Sequence, residues 1–251
     1  MKTIVFAASK GGVGKTTLAF NVGVEAAKTG TVFLADLDPQ KSLDGLCERR
    51  GQQPGLSPDN PMHLDDVGAV GVAVASLNRT GYARDYLIVD TPGSFVEIYE
   101  EAIRAADCIV LPVMPSPLDI IAQEDVARLV DKLDKTDKAL FVVNRIGARS
   151  SLGAEAFERV KGLTPNTPVR VADRIEYVRA MIGGRSGAEM NPDAHKEIAV
   201  LWRAIQTILR KGDQHAKGRE QDEPVRRGGR RIYTRRAEGV GGPSPGRQQE
   251  D

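Results

Sequence analysis

A chain of 251 residues, 41% hydrophobic and 27% charged, is long enough to bury one sizeable α/β core and polar enough to stay in solution. Its 35 Lys and Arg almost balance 34 Asp and Glu, so bulk charge names no partner, and 5% aromatics argues against a module that binds RNA by stacking. Two distant cysteines and three histidines exclude a disulfide framework, a CxxC site and a His-rich metal centre.

In chain order, the first apolar run is Thr3–Ala8, a predicted strand. It leads into Ser9-Lys10-Gly11-Gly12-Val13-Gly14-Lys15-Thr16-Thr17 and then a helix over Thr17–Lys28, which stops at Gly30. A second strand is predicted at Thr31–Leu37. Residues 51–61, GQQPGLSPDNP, form a turn-rich loop. Further strands follow at Tyr86–Asp90, Cys108–Val113, Ala139–Asn144 and Val169–Ala172, with a helix at Ile120–Leu133. These runs are continuous rather than alternating, as suits strands buried on both faces of a parallel sheet. Glu197–Arg210 carries Ile198, Leu201, Trp202, Ile205, Ile208 and Leu209 on one helical stripe. The apolar runs are too short to span a bilayer, and the opening MKTIVFAASKGG lacks a signal-peptide pattern, so the expected compartment is the cytoplasm. The fold class predicted is α/β, a doubly wound, mostly parallel sheet with helices on both faces, whose ligands bind at the carboxyl ends of the strands.

Residues 210–251 hold eleven Lys and Arg against seven Asp and Glu and few large aliphatics. Such a segment buries too little apolar area to offset its ordering entropy, so the expected division is a folded domain over 1–211 and a disordered Arg/Gly/Pro-rich tail over 212–251. Arg226, Arg227, Arg230 and Arg231 lie in a stretch with no acid. That stretch reads either as a solvated tail or as a non-specific anchor for nucleic acid phosphates.

The chemistry is concentrated after the first strand. A strand, a glycine-rich loop and a helix form a phosphate cradle: glycines let successive N–H groups turn inward, and the helix adds its positive end. Lys15 would reach the β- and γ-phosphates and the Thr16 hydroxyl would bind Mg²⁺. The strict GxxxxGK[ST] pattern fails at Ser9, leaving KGGVGKTT with a second lysine, Lys10.

KGGVGKTT resembles the deviant Walker A motif of the ParA/MinD family of P-loop ATPases. Asp36-Leu37-Asp38-Pro39-Gln40 is similar to the family's DxDPQ motif, and Leu87-Ile88-Val89-Asp90-Thr91-Pro92-Gly93 to its Walker B. Pro112 with Pro115-Ser116-Pro117 fits the following strand. Phe141-Val142-Val143-Asn144-Arg145 resembles the strand that ends in an adenine-contacting Asn. Arg174 to Ala180, then Gly184-Arg185-Ser186, resembles the late R-x-x-Y-x-x-A…G-x-S stretch of small partition ATPases.

The resemblance implies a P-loop NTPase that takes ATP and Mg²⁺. Gly11, Gly12, Val13, Gly14, Lys15, Thr16 and Thr17 would hold the phosphates, Asn144 the adenine, Thr16 and Asp90 the metal. Asp38 would orient the attacking water, Asp36 would be a structural acid, and Cys47 and Cys108 ordinary helix and strand residues. Lys10 would cross to the nucleotide of the other subunit in an ATP-bound homodimer. Non-specific DNA would be met by Arg170, Arg174, Arg179 and Arg185 together with the tail arginines, placing the protein on the nucleoid. A separate centromere-binding or adaptor protein would stimulate hydrolysis. Two alternatives stay open: a MinD-type membrane-associated positioning ATPase, and a conjugation-associated relative that recruits transfer DNA. For the membrane reading the candidate is Glu197–Arg210, expected instead to be the last helix covering the sheet.

Overall fold

The predicted apolar runs become a single parallel sheet because each is buried on both sides. A computed structural model describes residues 1–53, 61–63, 70, 71, 74, 85–93, 96–148 and 150–222. The strands are β1 (Lys2–Phe6), β2 (Val32–Asp36), β3 (Pro61–His63), β4 (Tyr86–Asp90), β5 (Cys108–Val113), β6 (Ala139–Ile146) and β7 (Val169–Ala172). Their order is β3-β2-β4-β1-β5-β6-β7, and every pairing is parallel.

Helices α1 (Lys15–Ala26), α2 (Ser42–Gly51), α3 (Val96–Ala105), α4 (Pro117–Lys132), α5 (Ser151–Lys161), α6 (Ile175–Ile182), α7 (Gly187–Met190) and α8 (Pro192–Asp222) connect or flank these strands. Alternate strand residues feed two cores. Ile4, Phe6, Leu34 and Ile88 face α1, α2, α6 and α8, where Leu18, Leu43, Tyr177 and Ile198 meet them. Val5, Ala35, Leu87 and Val89 face α3, α4 and α5, where Ile103, Val126 and Val160 meet them. Each large aliphatic so buried contributes about 1.5–3 kcal/mol. The sheet is therefore doubly wound, as expected.

Helix α8 starts with Asn191 Oδ1 accepting from the N–H groups of Asp193 and Ala194, with Pro192 following the cap. Its stripe from Ile198 to Leu209 is buried against the sheet, and Trp202 meets Tyr86 edge-on with ring centroids 4.9 Å apart. The amphipathic face considered for a membrane is thus covered by the protein's own core. Among the described residues no helix is long and apolar enough to cross a membrane.

Two features depart from the sequence-based expectation. Helix α8 continues to Asp222, past Gly212, where composition predicts the onset of disorder. Burial decides whether a segment folds alone, but a helix already nucleated and anchored from Ile198 to Leu209 adds one hydrogen bond per residue as it extends, even across Gly212 and Gly218. The second departure is β3, which pairs with β2 from Pro61, the last residue of the predicted turn-rich loop. Three residues carry no periodicity, and proline is tolerated at the first residue of an edge strand. Residues 1–213 form one compact unit, and Gln214–Asp251 are a second. Arg226, Arg227, Arg230 and Arg231 lie outside the described residues.

Candidate phosphate-binding site

Strand register sets the site. Phe6 is level with Asp90, and Asp90 with Asp36, so β1, β4 and β2 end on one rim with two acids side by side. Beyond β1 the chain curls through Gly12 and Gly14, both at left-handed φ of 77° and 96°. Non-glycine residues rarely enter that region. At Gly14 space also demands glycine: a Cβ would sit 2.3 Å from the Asn144 side-chain nitrogen.

The loop is pinned from behind by side chains that no sequence motif singles out. Gln123 of α4, fully buried, donates to the Ala7 carbonyl at 2.8 Å and accepts from the Ser9 N–H at 3.3 Å. The Ser9 hydroxyl, at the position where the strict motif has glycine, donates to the Ala122 carbonyl at 2.7 Å. Gly93 lets the Walker B loop approach from the other side, since a Cβ there would lie 2.8 Å from the Gly11 nitrogen.

A cavity of about 440 Å³ opens over this loop. Gly11, Gly12, Gly14, Lys15, Thr16 and Thr17 line one wall, Asp38, Pro39, Gln40 and Ser42 another, with Pro92, Gly93 and Arg145 completing it. The Lys15 side chain is buried, and its ammonium donates to the Lys10 carbonyl at 3.3 Å. Burial lowers the Lys15 pKa, while Asp90 and Asp38 pull it back up. A buried cation beside an open cavity favours an anion there.

Asp90 is wholly buried behind Thr16, whose hydroxyl donates to its Oδ2 at 2.5 Å. The other oxygen, Oδ1, is buried and has no hydrogen-bond partner among the described residues. Burial pushes the Asp90 pKa up to about 7, against the hydrogen bond from Thr16. In its ionised form a carboxylate held this way favours a cation beside it. Hard oxygen donors from Thr16 and Asp90, one of them orphaned, fit Mg²⁺. Asp36 differs: its carboxylate accepts from the N–H groups of Asp38, Leu43 and Asp44 at 2.9, 2.8 and 3.2 Å, capping the start of α2. It is a structural acid. Asp38 faces the cavity, its Oδ1 accepting from the Gln40 N–H at 2.9 Å.

Three of the residues expected at the nucleotide do not line the cavity. Val13 is buried, and its carbonyl accepts from the Asn144 side chain at 2.8 Å. Asn144 is only 6% exposed and lies beneath the loop. Lys10 turns to its own α4, donating to the Leu118 carbonyl at 3.0 Å and lying 3.4 Å from the Asp119 carboxylate. Cys47 and Cys108 are buried in α2 and β5, as expected.

The four arginines expected at DNA are placed unequally. Arg174 is paired with Glu197 at 2.8 Å, and Glu197 also accepts from the Tyr177 hydroxyl. The Arg170 guanidinium lies 4.0 Å from the centre of the Phe157 ring. Arg179 and Arg185 are exposed and have no ion pair among the described residues. On the same helix as Arg179, α6, Ile175, Val178 and Ile182 are also exposed.

Residues 4–183 match the family model described as the CobQ/CobB/MinD/ParA nucleotide binding domain. Over 194 residues the chain is 31% identical to maintenance of carboxysome distribution protein A of Halothiobacillus neapolitanus, covering 73% of this chain and 85% of that one. Two further curated relatives are matched over only 48% and 51% of their own length. The fold is similar to an ATP-bound variant of Cyanothece McdA, with a TM-score of 0.65 and 22% identity over 82% of this chain and 96% of that one. It is also similar to a chain of the MinC:MinD cell division protein complex of Aquifex aeolicus, with a TM-score of 0.61 and 22% identity over 91% and 100% of the two chains. At that identity the two structures establish a shared fold.

Proposed function

The chain belongs to the CobQ/CobB/MinD/ParA nucleotide-binding domain family, whose Soj and MinD members are ATPases, and from that premise we propose that it hydrolyses ATP to position or partition a cargo over DNA. The observation that carries this reading is the glycine-walled cavity that gathers Lys15, Thr16 and Asp38 in front of buried Asp90. Loop N–H groups and the start of α1 would take the phosphate oxygens, and Lys15 would neutralise the β- and γ-phosphates. Mg²⁺ held by Thr16, and through water by Asp90, would supply charge neutralisation on the triphosphate. Asp38 would accept a hydrogen bond from the water that attacks the γ-phosphorus. The bond from that phosphorus to the bridging oxygen breaks, giving ADP and phosphate.

Positioning and charge account for most of phosphoryl transfer, so turnover should be slow until a second cation arrives. Lys10 is that cation in this reading. It would leave Asp119 and the Leu118 carbonyl and reach the nucleotide of a second copy, making the ATP-bound homodimer the active form. The dimer would bind DNA without sequence preference through Arg179, Arg185 and the tail arginines, and an adaptor protein would stimulate hydrolysis and release. The names of the relatives support a positioning role: one maintains carboxysome distribution, and another forms a complex with MinC.

Calorimetry with two variants tests the site. Lys15→Ala should lose ATP binding, and retained affinity would sink the assignment. Lys10→Ala should bind ATP with near-normal affinity yet lose dimerisation and hydrolysis. Hydrolysis at the wild-type rate in Lys10→Ala, with dimers present, would refute the trans role.

A further inference from the structure

Arg145 joins two features that seldom coincide. Its φ is +53°, a left-handed backbone that a residue with a Cβ enters only under compulsion. It also lines the mouth of the nucleotide cavity. The compulsion comes from β6: pairing with β7 is in step at Val142 and Val143, then shifts before Ile146 meets Ala172. Such an irregularity re-aims one side chain. Asn144, just before it, turns beneath the loop to hold the Val13 carbonyl, and Arg145 comes out on the open side. Among the described residues its guanidinium has no ion-pair partner and no hydrogen bond.

Position says which part of a nucleotide it would meet. The phosphate end is marked by Gly11–Thr16 at the exit of β1. Arg145 lies at the end of β6, two strands away in the order β1-β5-β6. Two strand spacings make about 10 Å, which is the reach from a phosphate cradle to a nucleoside rather than to the γ-phosphate. A planar guanidinium suits the face of a purine ring, where it gains both stacking and cation–π attraction.

Resting on the ATP-binding reading above, we propose that Arg145 is the base-contacting residue of the site, its guanidinium packed on the adenine ring and held there by the left-handed turn in β6. Asn144, by contrast, acts from below as a support of the phosphate loop.

The test is calorimetric titration of the full-length wild type, Arg145→Ala, Arg145→Gly and Arg145→Lys with ATP, ADP and inorganic tripolyphosphate, each with Mg²⁺. Arg145→Ala should weaken ATP and ADP equally, by about tenfold, and leave tripolyphosphate unchanged. Arg145→Gly should lose the same tenfold yet melt at a higher temperature than Arg145→Ala, because glycine accepts the positive φ. Arg145→Lys should recover little, since an ammonium does not stack. Unchanged ATP affinity in Arg145→Ala overturns the proposal. So does an equal loss for tripolyphosphate, which would make Arg145 a phosphate contact. If the wild type binds no ATP, the proposed function fails, and this assignment with it. If the wild type binds ATP and Arg145→Ala binds it equally well, this assignment fails alone.

Discussion

Individual acids at the sheet rim show how far residue type can be read and where surroundings take over. Asp36, Asp38 and Asp90 are all legible as motif acids, and the fold gives each its surroundings: Asp36 caps α2, Asp38 faces the cavity, and Asp90 is buried behind Thr16. Burial raises the Asp36 carboxyl above its ordinary value, against the pull of the backbone N–H groups of Asp38, Asp44 and Leu43. The folded chain then binds that proton more tightly than the unfolded chain. Its contribution to stability is therefore largest below the ordinary carboxylate pKa and declines as pH rises through the folded value. Asp36→Asn should abolish that slope. It should also cost ~1–3 kcal/mol at pH 7, because the amide nitrogen cannot accept from the N–H groups the carboxylate serves. Urea unfolding of the variant across pH checks both. Stability equal to wild type at pH 7 would mean the cap is dispensable. Gln123 and Arg145 are illegible as site residues for a common reason: a pin on the Ala7 carbonyl and a left-handed backbone arise from tertiary contacts, not from spacing.

Among elements, the strands are legible because a buried parallel strand is a continuous apolar run, and the six expected runs coincide with β1, β2, β4, β5, β6 and β7 to within two residues. The short β3 and the last turns of α8 are not: one is too brief for a period, and the other lies in a polar stretch whose composition argues against order. The late R-x-x-Y…G-x-S stretch is legible as a pattern but not as a structure. It is the joint between α1, α2 and α6. Asn21 of α1 accepts from the Gly187 N–H at 2.8 Å. Arg50 of α2, 2% exposed, donates to both Glu189 oxygens at 3.0 and 3.2 Å and to the Gly184 carbonyl. Ser186 and Glu189 close a capping box around the start of α7. Gly184 sits at φ +68°, and a Cβ there would lie 2.4 Å from the Arg50 nitrogen. Gly184→Ala should thus cost ~1–3 kcal/mol or more through strain and overpacking. Gly162→Ala, where a Cβ meets nothing within 4 Å, should change stability by under about 0.5 kcal/mol. Equal denaturation midpoints for the two variants would contradict this picture of the joint.

For the molecule as a whole, one sheet presents two features that matter together. Its carboxyl rim carries the glycine-walled cavity, while α6 and the turn after it carry Arg179 and Arg185 beside an exposed apolar row. The joint at Gly184–Glu189 ties α6 to the helices that begin at the cavity, α1 and α2, and under the proposed function it would be the physical route from nucleotide state to that surface. On this reading ATP switches on binding to DNA. Titrating the full chain with random-sequence duplex DNA in ATP, in ADP and without nucleotide, at two salt concentrations, decides the matter. Binding should occur with ATP only, weaken with salt by roughly 0.9 in log–log slope per phosphate neutralised, and fall in an Arg179→Ala, Arg185→Ala double variant. Binding that is indifferent to nucleotide, or no binding in ATP at either salt, would contradict it.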